Sequence, residues 1–255
     1  MSVLPGTNGR RRVYLMRHGH VDYFAPDIAK KGSVRDVTLT PRGRKEAEAA
    51  GRALAVTELD RVLCSDLPRA CETARIVLAA QTNLLELEVD SAFAEIRGGR
   101  LLSVMDRKEL VATMVFHFAR AAESGATMLE NGEAFRDAQD RVVASILRLL
   151  GESGWRHALI VAHEGINRLV LSWASGAGLS ATAAFEQDTG CINVIDFDMV
   201  PADDGSPGPV IARTLIKAVN LTPYNYLKHG MNLTSLEAIF TPVGEDTAEA
   251  HHQDI

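Results

Sequence analysis

Arg17, His18, Gly19 and His20 follow directly on the apolar stretch "VYLM", a burst of polar chemistry that no core strand needs. The arrangement recurs twice. "RVLC" runs into Ser65, with Arg69 four residues on, and "HALIVA" runs into His163 and Glu164. If the three runs end at one rim, two arginines and two histidines share a site. Arginine presents a rigid fork of donors that matches phosphate oxygens, and its charge is not titrated away, so the natural guest is a dianion such as a phosphoryl group. Pro68 opens a helical pattern whose N-terminal amides would add positive potential at the same rim. Taken singly, Arg69 or His163 reads as a solvated helix-end residue; the ordered set points to a site.

The elements that must position these residues follow from pattern. The three apolar runs are too short for helices and lack in/out alternation, so they read as central strands covered on both faces. Between them lie helical patterns: 39–55, with Thr40 as N-cap and Pro41 in the first turn; 66–80, opened by Asp66 and Pro68; and about 132–150, with Phe135, Val142, Val143, Ile146 and Leu150 on one face. Glu133 reads as a cap on the first turn of that last helix. "CINVIDFDMV" and "PVIARTLIKAV" flank the turn-forming "PADDGSPG", which predicts two strands joined by a long hairpin loop. Alternating strands and helices predict an α/β fold, a three-layer α/β/α sandwich around a mostly parallel sheet. Ligands of such sheets bind beyond the carboxyl ends of the strands, which is where the polar bursts fall. One domain is expected over 1–242, followed by a polar tail at 243–255.

The 255 residues carry a net charge of −6 and are 46% hydrophobic, with a pI near 5.8. There is no global basic field to attract nucleic acid, so an anion must be captured by local arginines. Cys64, Cys71 and Cys191 are widely spaced and form no CxxC pair, which fits small buried thiols in a reducing compartment. No segment approaches the roughly 20 apolar residues of a membrane span, and the N-terminus has no signal-peptide run. A soluble, cytoplasmic protein is expected; the oligomeric state is open, a homodimer included.

The residues resemble the histidine phosphatase superfamily, which includes the phosphoglycerate mutases. The match consists of "RHG" at 17–19, "LT..G...A...G" at 39–51, "S...RA..TA" at 65–74, Glu95 in "FAEIRGG", "GE" at 132–133 and "AHEG" at 162–165. The tripeptide alone is weak, whereas the ordered set is specific and spans most of the chain. The resemblance implies a phosphatase acting on a small-molecule phosphate ester, with His18 as the nucleophile that becomes phosphohistidine. It implies that Arg17, Arg69 and His163 hold the phosphoryl oxygens and that Glu95 donates a proton to the leaving group. Gly19, Ser65, Glu164 and His20 complete the expected substrate-contacting set, His20 at the pocket rim. Neither a metal nor another cofactor is implied. Phe93 and Ile96 would desolvate Glu95 and raise its pKa; Asp22, Asp66 and Glu164 remain alternative donors.

Three departures bear on substrate. Where the family often has an acidic or small residue, then Thr or Ser, then Asn, this chain has His20, Val21 and Phe24. A basic, aromatic stretch after the acid, as in cofactor-dependent mutases, is missing, which favours hydrolysis over mutation. Residues 97–131 read as an insertion covering the site; its Met105, Met114, Phe116, Phe118 and Met128 are mostly core, and His117 sits on the covering segment. Two other readings compete. "HGHVD" has the His-x-His-x-Asp spacing of metallohydrolase ligands, although Arg17 opposes a cation there. A non-catalytic phosphate-binding scaffold is the other, and the intact nucleophile and donor argue against it.

Overall fold

The computed structural model describes residues 9–23, 34–98, 116–201, 209–225, 227, 228 and 234. Phe24, Met105, Met114, most of the expected cover and the 243–255 tail lie outside the described residues.

Among the described residues six strands form one sheet: β1 (Gly9–Arg17), β2 (Arg61–Cys64), β3 (Leu87–Val89), β4 (His157–Ala162), β5 (Ile192–Pro201) and β6 (Pro209–Leu221), in the spatial order β3-β2-β4-β1-β5-β6. The β3–β2, β2–β4 and β4–β1 pairs are parallel, and β5 is antiparallel to both β1 and β6. The sheet is therefore mostly parallel, with β5 the reversed strand. Among the described residues the helices are α1 (Pro41–Leu54), α2 (Pro68–Leu78), α3 (Phe135–Gly151) and α4 (Glu164–Ala174).

The central strands bury both faces. In β4, Ala158, Ile160 and Ala162 enter one apolar cluster with Val142 and Ile146 of α3 and Ile166 and Leu169 of α4. Leu159 and Val161 enter the other, with Ala50 and Leu54 of α1 and Ala70, Ala74 and Val77 of α2. The absence of alternation in the sequence is thus the signature of a strand sandwiched between two helix layers. Cys64, Cys71 and Cys191 are free and buried, as small apolar side chains are.

Thr40 caps α1 by accepting from Gly43 N at 3.1 Å, ahead of Pro41. The second helix opens at Pro68 as expected, but it and the third differ from expectation in the capping residue. Leu67 rather than Asp66 is the N-cap of α2, and Ser65 Oγ takes the Leu67 amide. In α3 the N-cap is Ala134, with no side-chain cap bond, and Glu133 makes its contacts with side chains and with another segment rather than with the first-turn amides. Its carboxylate accepts from Arg97 N at 3.1 Å and pairs with Arg141 at 3.0 Å, because a bidentate arginine partner outcompetes a helix amide.

Register brings the polar bursts together. Arg17 stands opposite Ala162 and Cys64 opposite Val161, so His18, Ser65 and His163 leave the sheet side by side. The ladder runs on into them, with His18 N donating to Ala162 O and Ser65 N to Val161 O, both at 3.1 Å.

Candidate active site

His18 is buried at the end of β1, and its ring is fixed by its own chain. Nδ1 lies 2.7 Å from Gly19 O, and Arg69 donates from Nε to Nε2 at 3.2 Å. That pair of contacts assigns the proton to Nδ1 and the lone pair to Nε2. Burial, then Arg69, then Arg17, holds the imidazole well below the ordinary histidine range, so it is neutral at pH 7.

The loop that holds His18 is built on close backbone approach. Gly19 N donates to Thr73 Oγ1 at 3.1 Å. A Cβ on Gly19 would stand 2.2 Å from Gly43 O, and one on Gly43 would stand 2.2 Å from His20 O. Two glycines therefore let α1 lie against the loop that carries His18. His20 is half-buried at the rim, its amide bonded to Glu46 and its Nδ1 to Thr40 Oγ1 at 2.9 Å. Burial and Arg42 lower its pKa, against Glu46, which raises it.

His163 closes the opposite wall, 5.1 Å from His18 between ring centroids. Ser65 Oγ lies 2.6 Å from its Nε2 and also accepts from Leu67 N. With the serine hydroxyl donating to Nε2, Nδ1 carries the ring proton. Among the described residues that buried Nδ1 meets no hydrogen-bond partner, and as an N–H it is a donor suited to an anionic oxygen. Burial first, then His18, Arg69 and Arg17, keeps His163 neutral as well. Ser65 and Gly19 enter the site by holding the two histidines.

Arg17 is anchored through Nη1, which donates to Gln187 O at 2.5 Å and pairs with Glu164 Oε2 at 3.1 Å. Arg69 Nη1 reaches Arg35 O at 3.4 Å, and its guanidinium lies 5.8 Å from the Tyr23 ring. Glu95 meets the N-terminus of α4: Oε2 accepts from Gly165 N at 3.2 Å, while Oε1 accepts from Ile166 N at 3.3 Å and from Ile96 N at 3.0 Å. Burial raises its pKa, and the Ile96 and Gly165 amides pull it back without cancelling the rise. Phe93 and Ile96 are buried beside it.

Asp22 is exposed, and Asp66 pairs with Arg35 at 3.4 Å on the surface. Glu164 is buried with both oxygens on arginines, Arg17 and Arg168. Among the described residues no three His, Cys, Asp or Glu side chains are grouped as metal ligands. His18 and His20 of the His-x-His-x-Asp run turn to different partners. In the described part of the cover, Phe118 and Met128 are core, Phe116 is exposed, and the His117 ring lies 5.1 Å from Phe135.

Three participants escape a reading of the sequence. Gln187 contributes a backbone carbonyl from an irregular loop, which no side-chain pattern announces. Tyr23 lies beyond the tripeptide, and only its contact with Arg69 marks it. Arg168 had a signal, the four-residue spacing from Glu164 that pairs opposite charges on a helix.

Residues 13–200 match the sequence pattern of the histidine phosphatase superfamily (branch 1). The chain belongs to that superfamily. It is 32% identical over 191 residues to the adenosylcobalamin/alpha-ribazole phosphatase of Salmonella typhimurium, covering 72% of this chain and 90% of the relative. The Escherichia coli protein of the same name is 28% identical over 192 residues, 73% and 90% of the two chains. The crystal structure of a putative alpha-ribazole-5'-P phosphatase from Escherichia coli superposes with a TM-score of 0.61 at 25% identity, covering 82% of this chain and 96% of that one. This superfamily member is a small-molecule phosphatase of the phosphohistidine type. Among the described residues, no helix is long and apolar enough to cross a membrane.

Proposed function

We propose that the chain hydrolyses a small phosphomonoester on His18 without a metal ion, in the manner of a histidine acid phosphatase. The observation that carries this reading is the preset His18 ring, its Nδ1 on Gly19 O and its Nε2 against Arg69. Arg17, Arg69 and the Nδ1–H of His163 bind the phosphoryl oxygens. The Nε2 lone pair attacks phosphorus as the P–O bond to the leaving group breaks, and Glu95 gives its proton to the departing oxygen. The product alcohol leaves, and the phosphoryl group is held as phosphohistidine. Glu95, now a carboxylate, takes a proton from water; the oxygen attacks phosphorus, the P–N bond breaks, and inorganic phosphate and neutral His18 are restored. Glu95 suits this cycle better than Glu164, whose two oxygens are already committed to arginines.

Gly19 and Ser65 serve by holding the histidines, and His20 lies at the rim where the alcohol part of the substrate enters. The relatives' names make alpha-ribazole phosphate the first compound to try. A panel of phosphorylated metabolites with and without EDTA tests the whole reading. Turnover that survives EDTA, with acid-labile phosphate on His18, is expected. Activity lost to the chelator and restored by a metal overturns it. Three buried free thiols suit a cytoplasmic setting, and sedimentation decides between monomer and homodimer.

A further inference from the structure

Glu164 is an unexpected neighbour for a phosphate pocket, because a buried carboxylate competes with a dianion for the same arginine. Its Oε2 lies 3.1 Å from Arg17 Nη1. What offsets this is Arg168, one turn along α4 and also buried. Arg168 holds Glu164 Oε1 from Nη2 at 2.8 Å and from Nε at 3.2 Å. The same Nη2 reaches Glu186 Oε2 at 2.6 Å, and Nη1 donates to Ala183 O at 3.3 Å. The guanidinium lies 4.8 Å from the ring of Phe118, in the segment expected to cover the site. A chain of alternating charge thus runs from Glu186 through Arg168 and Glu164 to Arg17.

We propose that Arg168 is a positioning residue for phosphate binding: it shares the charge of Glu164, so that Arg17 is oriented by that carboxylate without being neutralised by it. The inference rests on the reading of Arg17 as a phosphate ligand. With two cations on one carboxylate, each takes part of its attraction, and the remaining field of Arg17 is available to a ligand. Without Arg168 the whole charge of Glu164 falls on Arg17. Buried pairs are weakly screened, so an incoming dianion would have to pull them apart. Arg168 needs no contact with substrate to act in this way. A lysine keeps the charge but lacks the planar fork that spans two carboxylates and lies against a ring.

The test is the dissociation constant of inorganic phosphate, measured by titration calorimetry on the full-length protein, with KM and kcat alongside. Arg168→Met is expected to weaken phosphate binding about tenfold and to raise KM more than it lowers kcat. Adding Glu164→Gln to that variant removes the competing charge and is expected to bring binding back to within about threefold of wild type. A purely structural role predicts the opposite, since the double variant has lost two buried polar groups. Weakening of threefold or more that Glu164→Gln suppresses upholds the proposal. Weakening below threefold, or a double variant that binds no more tightly than Arg168→Met, overturns it. Arg168→Gln, which also removes the charge, alone and with Glu164→Gln, decides the matter by the same criteria if the methionine variant does not fold. A wild type that binds phosphate but never turns over would overturn the catalytic reading and leave these binding constants to judge Arg168.

Discussion

Arg69 Nε stands 3.2 Å from His18 Nε2 and donates to it, the nitrogen that the proposed reading makes the nucleophile. The same guanidinium therefore does two things. Second to burial, it helps keep the imidazole from taking up a proton, and on the proposed reading it meets a phosphoryl oxygen as phosphorus approaches Nε2. Gly19 O fixes the other ring nitrogen, so the attacking tautomer is set before substrate binds. The tautomer needs no rearrangement at the moment of reaction, whereas the Arg69 N–H must leave the Nε2 lone pair as phosphorus approaches it.

His18→Ala is expected to remove activity by roughly a thousandfold or more, the usual scale for loss of a covalent nucleophile. Acid-labile label should appear on His18 in quenched wild-type enzyme and vanish in the variant. Label recovered on serine or cysteine would sink the mechanism.

His18 and His163 also set a pH dependence of stability. Both have folded-state pKa values well below the ordinary 6.5. Below pH 6.5 the unfolded chain binds protons that the native state refuses, so stability present above that pH is lost as pH falls. Each refused proton contributes a slope of about 1.4 kcal/mol per pH unit. Thermal melting followed from pH 7.5 down to 5 should show a falling Tm, with a shallower fall in His18→Gln. Identical slopes in the two proteins would mean that His18 is not held neutral by the fold.

How far the sequence reaches is clear from these same residues. The strands β1, β2 and β4 are legible because both faces are buried, and the polar residues that end them mark one rim of the sheet. β3 is not legible, since three residues, Leu87–Val89, carry no pattern of their own. The cap of α3 was misplaced because Glu133 looks like a capping acid and pairing with Arg141 is invisible in one dimension. In the same way, the sequence lists Ser65 and Glu164 as pocket residues. Only distance shows that the first holds His163 and the second lies between two arginines.

Arg69→Ala should weaken inhibition by inorganic phosphate together with turnover. It removes a charge-assisted contact worth about 1.5–3 kcal/mol, or about tenfold to a hundredfold in the inhibition constant. Lysine should rescue only in part, because it lacks the fork. An unchanged inhibition constant in the alanine variant places Arg69 outside the pocket.

Gly43→Ala tests the packing of α1 on the nucleophile loop. Alanine inside a helix normally adds about 0.5–1 kcal/mol over glycine. Here the new Cβ would meet His20 O at 2.2 Å and His20 N at 2.7 Å. Backbone must move, so a net loss of about 1–3 kcal/mol is expected, with a fall in kcat as the Gly19 carbonyl shifts under His18. Gly51→Ala on the same helix meets Ala80 Cβ at 3.2 Å and serves as the comparison, with a much smaller change in Tm. Equal effects at the two positions would remove the close approach as the reason for Gly43.

Glu95 sits where acid catalysis and helix capping compete. Three amides, those of Ile96, Gly165 and Ile166, favour its anion, while burial favours the protonated acid and prevails. If it protonates the leaving oxygen, Glu95→Gln should slow alkyl phosphates far more than aryl phosphates such as p-nitrophenyl phosphate, whose leaving group departs without a proton. General acids contribute about a hundredfold to ten-thousandfold, so the alkyl-to-aryl rate ratio should change by at least roughly tenfold. The glutamine oxygen can still accept from α4, which separates chemistry from capping. A pure capping role, which the glutamine largely keeps, would leave the alkyl-to-aryl ratio unchanged, and Asp22 and Asp66 would then be the donors to test, since Glu164 is held between Arg17 and Arg168.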